Sequence, residues 1–243
     1  MTKKIQAGYF NKIPQFTGDQ FVNFSEIFIK PIISTPFEEN AYIVYLKQNN
    51  NANGIRECFI IDPGFEPHLI LDFLRAEKLD PAAILVTHGH ADHIAGITKI
   101  KKAKPNCKIY AGEFEADKLT DPQLNLSALF GHSLSVPPAD VLLSDGAELS
   151  IAGIDVKVFH VPGHSKGHVV YLICSEPTQI VFAGDLVFRN GYGRTDFPDG
   201  NTADLFDSIQ TKILTLPPDT IIYSGHGQKT TVGYEAATTW KRL

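Results

Sequence analysis

Nine histidines occur in the chain, and three of them fall within six residues, beside an aspartate, in His88-x-His90-x-Asp92-His93. Neutral imidazole and ionised carboxylate are good ligands for zinc, and also for iron or manganese. If the first residues are extended, His88 and His90 share one direction, because a strand alternates its side chains. Asp92 and His93 follow a turn, near a helix start, and can face a second point. Three more candidates each end a strand-like run. His164 stands in Val-Pro-Gly-His-Ser, Asp185 in Phe-Ala-Gly-Asp and His226 in Tyr-Ser-Gly-His-Gly. The glycine beside each allows a tight turn and close backbone approach. The set points to a metal site. Of the other histidines, His168 reads as a neighbour of the ligands rather than a ligand, and His160 as a structural strand residue. His68 and His132 read as incidental.

The elements that must position these residues are legible as periodicities. Short runs rich in Ile, Val, Tyr and Phe predict strands at 27–29, 41–46, 58–61, 83–86, 155–160, 169–174, 180–183 and 221–223. The polar stretch QNNNANG reads as a hairpin loop, and Asp62-Pro63-Gly64 as a strand stop. Helical spacing covers 69–76, 94–102, 113–120 and 202–214, with a closing helix over 230–242. Residues 121–140 read as loop. No repeat or linker divides the chain. Residues 1–25 are expected to be an N-terminal extension, and 26–243 one mixed α/β domain. Pattern alone leaves a doubly wound sheet and a two-sheet sandwich both open.

Composition narrows the function classes. The chain has 243 residues, of which 43% are hydrophobic, enough for a sizeable core. Its 22 Lys and Arg against 27 Asp and Glu leave a net charge of −5. That balance argues against nucleic acid as a partner. Cys58, Cys107 and Cys174 are too few and too scattered for a disulfide framework and read as reduced core residues. No run approaches a membrane span, and the basic N-terminus lacks the apolar stretch of a secretory signal. The expectation is a cytoplasmic protein with neither membrane nor nucleic-acid partners.

THGHADH (87–93) resembles the signature of the metallo-β-lactamase superfamily, whose domains fold as an αββα sandwich. The order of PGHSKGH (162–168), FAGD (182–185) and SGH (224–226) is similar too. The resemblance runs from about residue 27 to beyond His226. Within the superfamily the chain looks most like the glyoxalase II group, the hydroxyacylglutathione hydrolases, in a short single-domain form. Asn40-Ala41-Tyr42, Ile61-Asp62-Pro63-Gly64 and the stretch 193–198 carry that likeness; the last also resembles persulfide dioxygenases. The resemblance implies that His88, His90 and His164 hold a first metal, Asp92, His93 and His226 a second, and that Asp185 bridges them. Two divalent ions, zinc by expectation with iron or manganese as alternatives, would acidify a shared water. Asp92 would orient the resulting hydroxide, and a small-molecule thioester would be cleaved. Full-length glyoxalase II enzymes have a C-terminal helical domain that supplies part of the glutathione site. Here 17 residues follow His226, so that domain is expected to be absent. Arg194 stands in for a lysine that binds the glutathione carboxylate, Asp196 falls where a tyrosine is expected, and Tyr192 could line the pocket. The alternatives are a mononuclear iron persulfide dioxygenase using His88, His164 and Asp185, and a lactone or β-lactam hydrolase on the same metals.

Overall fold

The computed structural model describes residues 22–23, 26–50 and 53–242. Six strands form the first sheet in chain order: β1 (Ile27–Ser34), β2 (Glu39–Asn50), β3 (Arg56–Ile61), β4 (Leu79–Val86), β5 (Lys108–Gly112) and β6 (Val141–Leu143). Six more form the second: β7 (Glu148–Ile151), β8 (Ile154–His160), β9 (Val169–Ile173), β10 (Ile180–Gly184), β11 (Ile221–Ser224) and β12 (Thr230–Thr231). Strands β3 to β6 run parallel, as do β10 and β11; the other neighbours are antiparallel.

Alternation along the strands creates three apolar layers. Tyr42, Val44, Phe59, Ile61, Ala83 and Leu85 meet Val156, Val158, Tyr171, Ile173 and Phe182 between the sheets. Their strand neighbours Ile43, Ile60, Ile84 and Val86 face outward, onto Ile70 and Leu74 of α1 (Pro67–Ala76) and onto Ile94, Ile97 and Ile100. On the far side Val170, Leu172, Val181 and Ala183 pack on Leu205, Ile209 and Ile213. Each sheet buries both faces, so a helix layer is required on each outer side. The result is the αββα sandwich.

Several elements differ from expectation. The single helix over 94–102 is two, α2 (Ala91–Ile94) and α3 (Ile97–Ala103). They part at Gly96, whose N–H donates to the Pro63 carbonyl at 2.7 Å. A Cβ at Gly96 would meet the Gly64 carbonyl oxygen at 2.6 Å, so the chain passes too close there for a side chain. The helix over 113–120 reduces to one 3₁₀ turn (Ala116–Leu119), because Glu115 is drawn inward to bond other loops. Residues 121–140 contain a further 3₁₀ turn (Ser127–Phe130), and strands β5, β6, β7 and β12 are additional to those anticipated. The 202–214 helix is α4 (Thr202–Ser208) continued by a π turn (Ile209–Ile213), and the closing helix is the short α5 (Val232–Ala237). Of the N-terminal extension, 1–21 and 24–25 lie outside the described residues; Val22–Asn23 pairs in parallel with Ser175–Glu176. Cys58 and Cys107 are buried, Cys174 is half-buried, and all three are free thiols. Among the described residues no helix is long and apolar enough to cross a membrane.

The sheets are stitched at the edge where β4, β10 and β11 end. Val169 N–H donates to the Thr87 carbonyl and Asn40 N–H to the Gly225 carbonyl. The buried Tyr171 hydroxyl donates to the Val86 carbonyl at 2.7 Å, and Tyr42 Oη to the Ser224 carbonyl at 2.6 Å. Tyr171→Phe should therefore remove a buried hydrogen bond that joins the two sheets at the Val86 carbonyl. The expected loss of about 1–3 kcal/mol is checked by urea unfolding of both proteins at equal metal loading.

Candidate metal centre

All seven residues expected to bind metal come together at this edge. His88 and His90 lie on the turn leaving β4, and Asp92 and His93 on α2, which begins immediately after it. His164 is on the β8–β9 loop, while Asp185 and His226 follow β10 and β11. His164 Nε2 stands 3.2 Å from His88 Nε2 and 3.0 Å from His90 Nδ1. His93 Nε2 is 3.4 Å from Asp185 Oδ1 and 3.8 Å from Asp92 Oδ2. His226 Nε2 is 3.4 Å from Asp92 Oδ2 and 3.6 Å from Asp185 Oδ2. Asp185 Oδ2 is also 3.7 Å from His164 Nε2, so this carboxylate stands between the two groups. Within each of the sets His88–His90–His164 and Asp92–His93–His226, the donor atoms lie within 4.8 Å of one another.

Hydrogen bonds on the far side of the rings decide where the protons are. His164 Nδ1 lies 2.8 Å from the Arg194 carbonyl and His226 Nδ1 3.0 Å from that of Phe37. A carbonyl only accepts, so each Nδ1 carries the hydrogen and each Nε2 presents a lone pair. Asp62 does the same for the first motif. Its carboxylate accepts from Thr87 N–H at 2.7 Å, from Thr87 Oγ1 at 2.5 Å and from His93 Nδ1 at 3.1 Å. Thr87 Oγ1, having given its hydrogen to Asp62, accepts from His88 Nδ1 at 3.1 Å. Asp62 also forms a compact donor set with His88 and His93. Its contact with His93 Nδ1 is a hydrogen bond, however, so it orients the ring from behind.

The electrostatics agree. Burial, reinforced by neighbouring imidazoles, holds His88 and His90 well below the usual histidine range, and burial lowers His164 too. Burial opposes charge on His93 as well, but the Asp92 and Asp185 carboxylates outweigh it and raise that ring. Burial likewise favours a neutral Asp185, yet His93 and His164 keep it far below the ordinary carboxylate range. The buried His93 Nε2 and Asp185 Oδ1, which face the two groups, have no hydrogen-bond partner in the protein. Lone pairs facing one another, unpaired acceptors and the ionised Asp92 and Asp185 carboxylates fit divalent cations. Gly225 leaves the necessary room, since a Cβ there would strike Asp185 Oδ1 and lie 2.7 Å from His93.

A buried network ties the two histidine loops. Glu115 accepts from Gly89 N–H at 2.8 Å, Gly167 N–H at 3.0 Å and Ser165 Oγ at 2.6 Å. Lys118 donates to Ser165 Oγ at 2.5 Å and Asp199 at 2.6 Å. Sequence patterns give Glu115, Lys118, Ser165 and Asp199 no role, and they mark Asp62 as a strand stop within a stretch that carries the family likeness, not as a partner of the histidines. The one available signal is a carboxylate beside the strand end that precedes the histidine motif. His168 is buried 4.9 Å from the His88 ring, as a neighbour. His160 bonds the Lys166 carbonyl.

The groups open into a cleft of about 920 Å³. Arg194 lines it, with its side chain 59% exposed and bonded twice to Asp196, each at 2.6 Å. These bonds hold the Asp196 carboxyl down at about 2. Tyr192 lies apart from the cleft lining. Its short strand folds back on Val187–Phe188, and its ring packs on Phe206 and Trp240. His132, read as incidental, lines the cleft. Asp62→Ala should weaken metal binding about 10- to 100-fold by freeing the His88 and His93 rings. Asp62→Asn, which keeps an acceptor oxygen, should lose less; competition with a chromophoric chelator measures both.

A family model for the metallo-beta-lactamase superfamily matches residues 35–226. Hydroxyacylglutathione hydrolase GloC of Haemophilus influenzae is 33% identical over 213 residues, 85% of this chain and 94% of that protein. The crystal structure of BLEG-1 B3 metallo-beta-lactamase superposes with a TM-score of 0.79 at 38% identity, covering 87% of this chain and 98% of that one. The structure of TTHA1623 in a di-iron-bound form gives 0.72 at 34%, covering 86% and 98%. With its αββα sandwich and its two adjoining donor groups at the sheet edge, the chain belongs to the metallo-β-lactamase superfamily.

Proposed function

We propose that this protein is a dinuclear metallo-hydrolase that cleaves thioesters of the S-acylglutathione type. The observation that carries the reading is the pair of complete donor triads with Asp185 within 3.7 Å of both, open to one cleft. His88, His90 and His164 would hold one ion, Asp92, His93 and His226 the other, and Asp185 would serve both. Zinc suits these donors, and the di-iron form of TTHA1623 makes iron the alternative. When bound, such ions supply an acidified water and an electrophile for the scissile carbonyl.

The chain's own groups do the rest. Asp92 is the proposed catalytic residue. It lines the cleft, and although burial disfavours its charge, His93 and His226 keep it ionised. It can accept a hydrogen from the attacking water and aim the oxygen lone pair at the carbonyl carbon. A C–O bond forms, the C–S bond breaks, and its electron pair leaves with sulfur. A thiolate departs without a proton donor, and one water proton passes to solvent. Arg194 faces the cleft and would bind a carboxylate of the thiol carrier in competition with Asp196. Thioester cleavage is supported by the likeness to the Haemophilus hydrolase. The likeness to BLEG-1 supports a second reading, β-lactam hydrolysis, in which the leaving nitrogen would need a proton.

Elemental analysis of protein purified without chelator should find two metal ions per chain. One iron per chain, with oxygen uptake on glutathione persulfide, would replace hydrolysis by persulfide oxidation. Asp185→Ala should cut S-acylglutathione turnover about 10³-fold or more, the scale of losing a positioned charge, and weaken both metals; near-normal turnover with two metals bound would sink the proposal. Arg194→Ala should raise KM about tenfold for a glutathione thioester, since a remote contact acts equally in ground and transition states. Equal losses for an uncharged carrier would show that Arg194 is structural.

A further inference from the structure

Three phenylalanines from separate segments stand together at the mouth of the cleft. Phe37 is on the β1–β2 turn, Phe65 between β3 and α1, and Phe130 ends the Ser127–Phe130 turn. They remain 43%, 39% and 59% exposed. The Phe37 ring lies 5.9 Å from Phe65 and 5.8 Å from Phe130, so the three form one apolar wall. This wall is continuous with the metal centre: the Phe37 carbonyl accepts from His226 Nδ1, and His90, Asp92, His164, Asp185 and His226 line the same cleft.

Behind the wall, Asn125 and Ser127 are already satisfied. Asn125 donates to the Lys118 and Leu134 carbonyls and accepts from Ser127 N–H. Ser127 Oγ donates to the Pro122 carbonyl and accepts from Leu134 N–H. Among the described residues, the one arginine or lysine in the cleft lining is Arg194; it belongs to the other side, with its guanidinium over the Phe197 ring at 4.2 Å. A charged or hydroxylated group placed against the three phenyl faces would lose water and gain no partner from the rings, although His132 and Ser133 follow Phe130 in the cleft lining. An apolar group would remove three phenyl faces from water along with its own surface.

We propose that the Phe37–Phe65–Phe130 wall is the acyl-binding surface and selects a bulky, uncharged apolar acyl group, of phenylacetyl size, over a small hydroxylated one such as lactoyl. This rests on the thioester-hydrolase reading and assigns the two halves of the substrate to opposite sides of the metals, with the acyl group on the phenyl wall and the thiol carrier toward Arg194.

The test uses the zinc-loaded full chain. S-phenylacetylglutathione should exceed S-lactoylglutathione in kcat/KM by about tenfold or more, the scale on which apolar pockets discriminate. Phe130→Ala and Phe65→Ala should each reduce that ratio at least fivefold, and Phe130→Leu should restore most of it. A ratio near one, or a ratio that the alanine variants leave unchanged, overturns the proposal. Calorimetry with phenylacetate and acetate reads the wall without turnover, because both present the same carboxylate to the metals and differ only in the phenyl group. If neither thioester is cleaved but phenylacetate binds tenfold more tightly and Phe130→Ala abolishes the difference, the wall stands and the thioester reading falls. Equal binding of the two acids removes the wall whatever the enzyme hydrolyses.

Discussion

The proton positions of the first histidine motif in the candidate metal centre depend on one carboxylate that faces away from the cleft. Asp62 accepts three hydrogen bonds, two from Thr87 and one from His93. Through Thr87 Oγ1 it also determines which nitrogen of His88 carries hydrogen. Backbone carbonyls of Arg194 and Phe37 do the same for His164 and His226. The effect is that Nε2 lone pairs converge on a space shared with Asp185. In a protein interior such an arrangement is unfavourable without a cation, and favourable with one. The energetic cost of assembling it falls on the elements that hold the outer hydrogen bonds in place.

Those elements are mostly backbone edges of the two sheets. The histidine turn leaves β4 where Tyr171 and Val169 of β9 bond it from the facing sheet. The β11 end carrying His226 is bonded through Gly225 to Asn40 of β2. Between the histidine loops the Glu115–Lys118–Ser165–Asp199 network closes the gap. Its charges are mutually paired and joined by backbone N–H groups, which is the condition under which buried charge is tolerated. Lys118 thereby serves the site without lining the cleft.

Chemistry and selectivity are built from different parts of the fold. The donor residues sit on strand ends and the short helix α2, where the packed sheets restrict movement. The cleft walls come from the β1–β2 turn, the 62–66 connection and the 121–134 loop. Loops can change composition without disturbing the sheets behind them, so one donor set can serve different substrates. The bidentate Arg194–Asp196 pair lies on the same kind of segment.

The donor residues are legible in the amino-acid sequence, because a dense histidine motif and three strand-end candidates stand out locally. Most strands and α1 are legible for a similar reason: burial on both faces leaves continuous apolar runs, and burial on one stripe leaves helical spacing. The break at Gly96 is not legible, since it arises from contact with Pro63 and Gly64 on another segment. Nor is the fate of 113–120, whose helical pattern yields to the bonds that Glu115 and Lys118 make with the histidine loops. Tyr192 and His132 cannot be sorted by type; only the chain path shows that one packs on Trp240 and the other faces the cleft. The sequence by itself determined which groups could bind metal and which runs must be buried. The tertiary structure decided which ring nitrogen presents its lone pair, how Asp185 stands between the two groups, and which phenylalanines share a wall. These depend on distances between residues far apart in the chain, and such distances exist only after the sheets have packed.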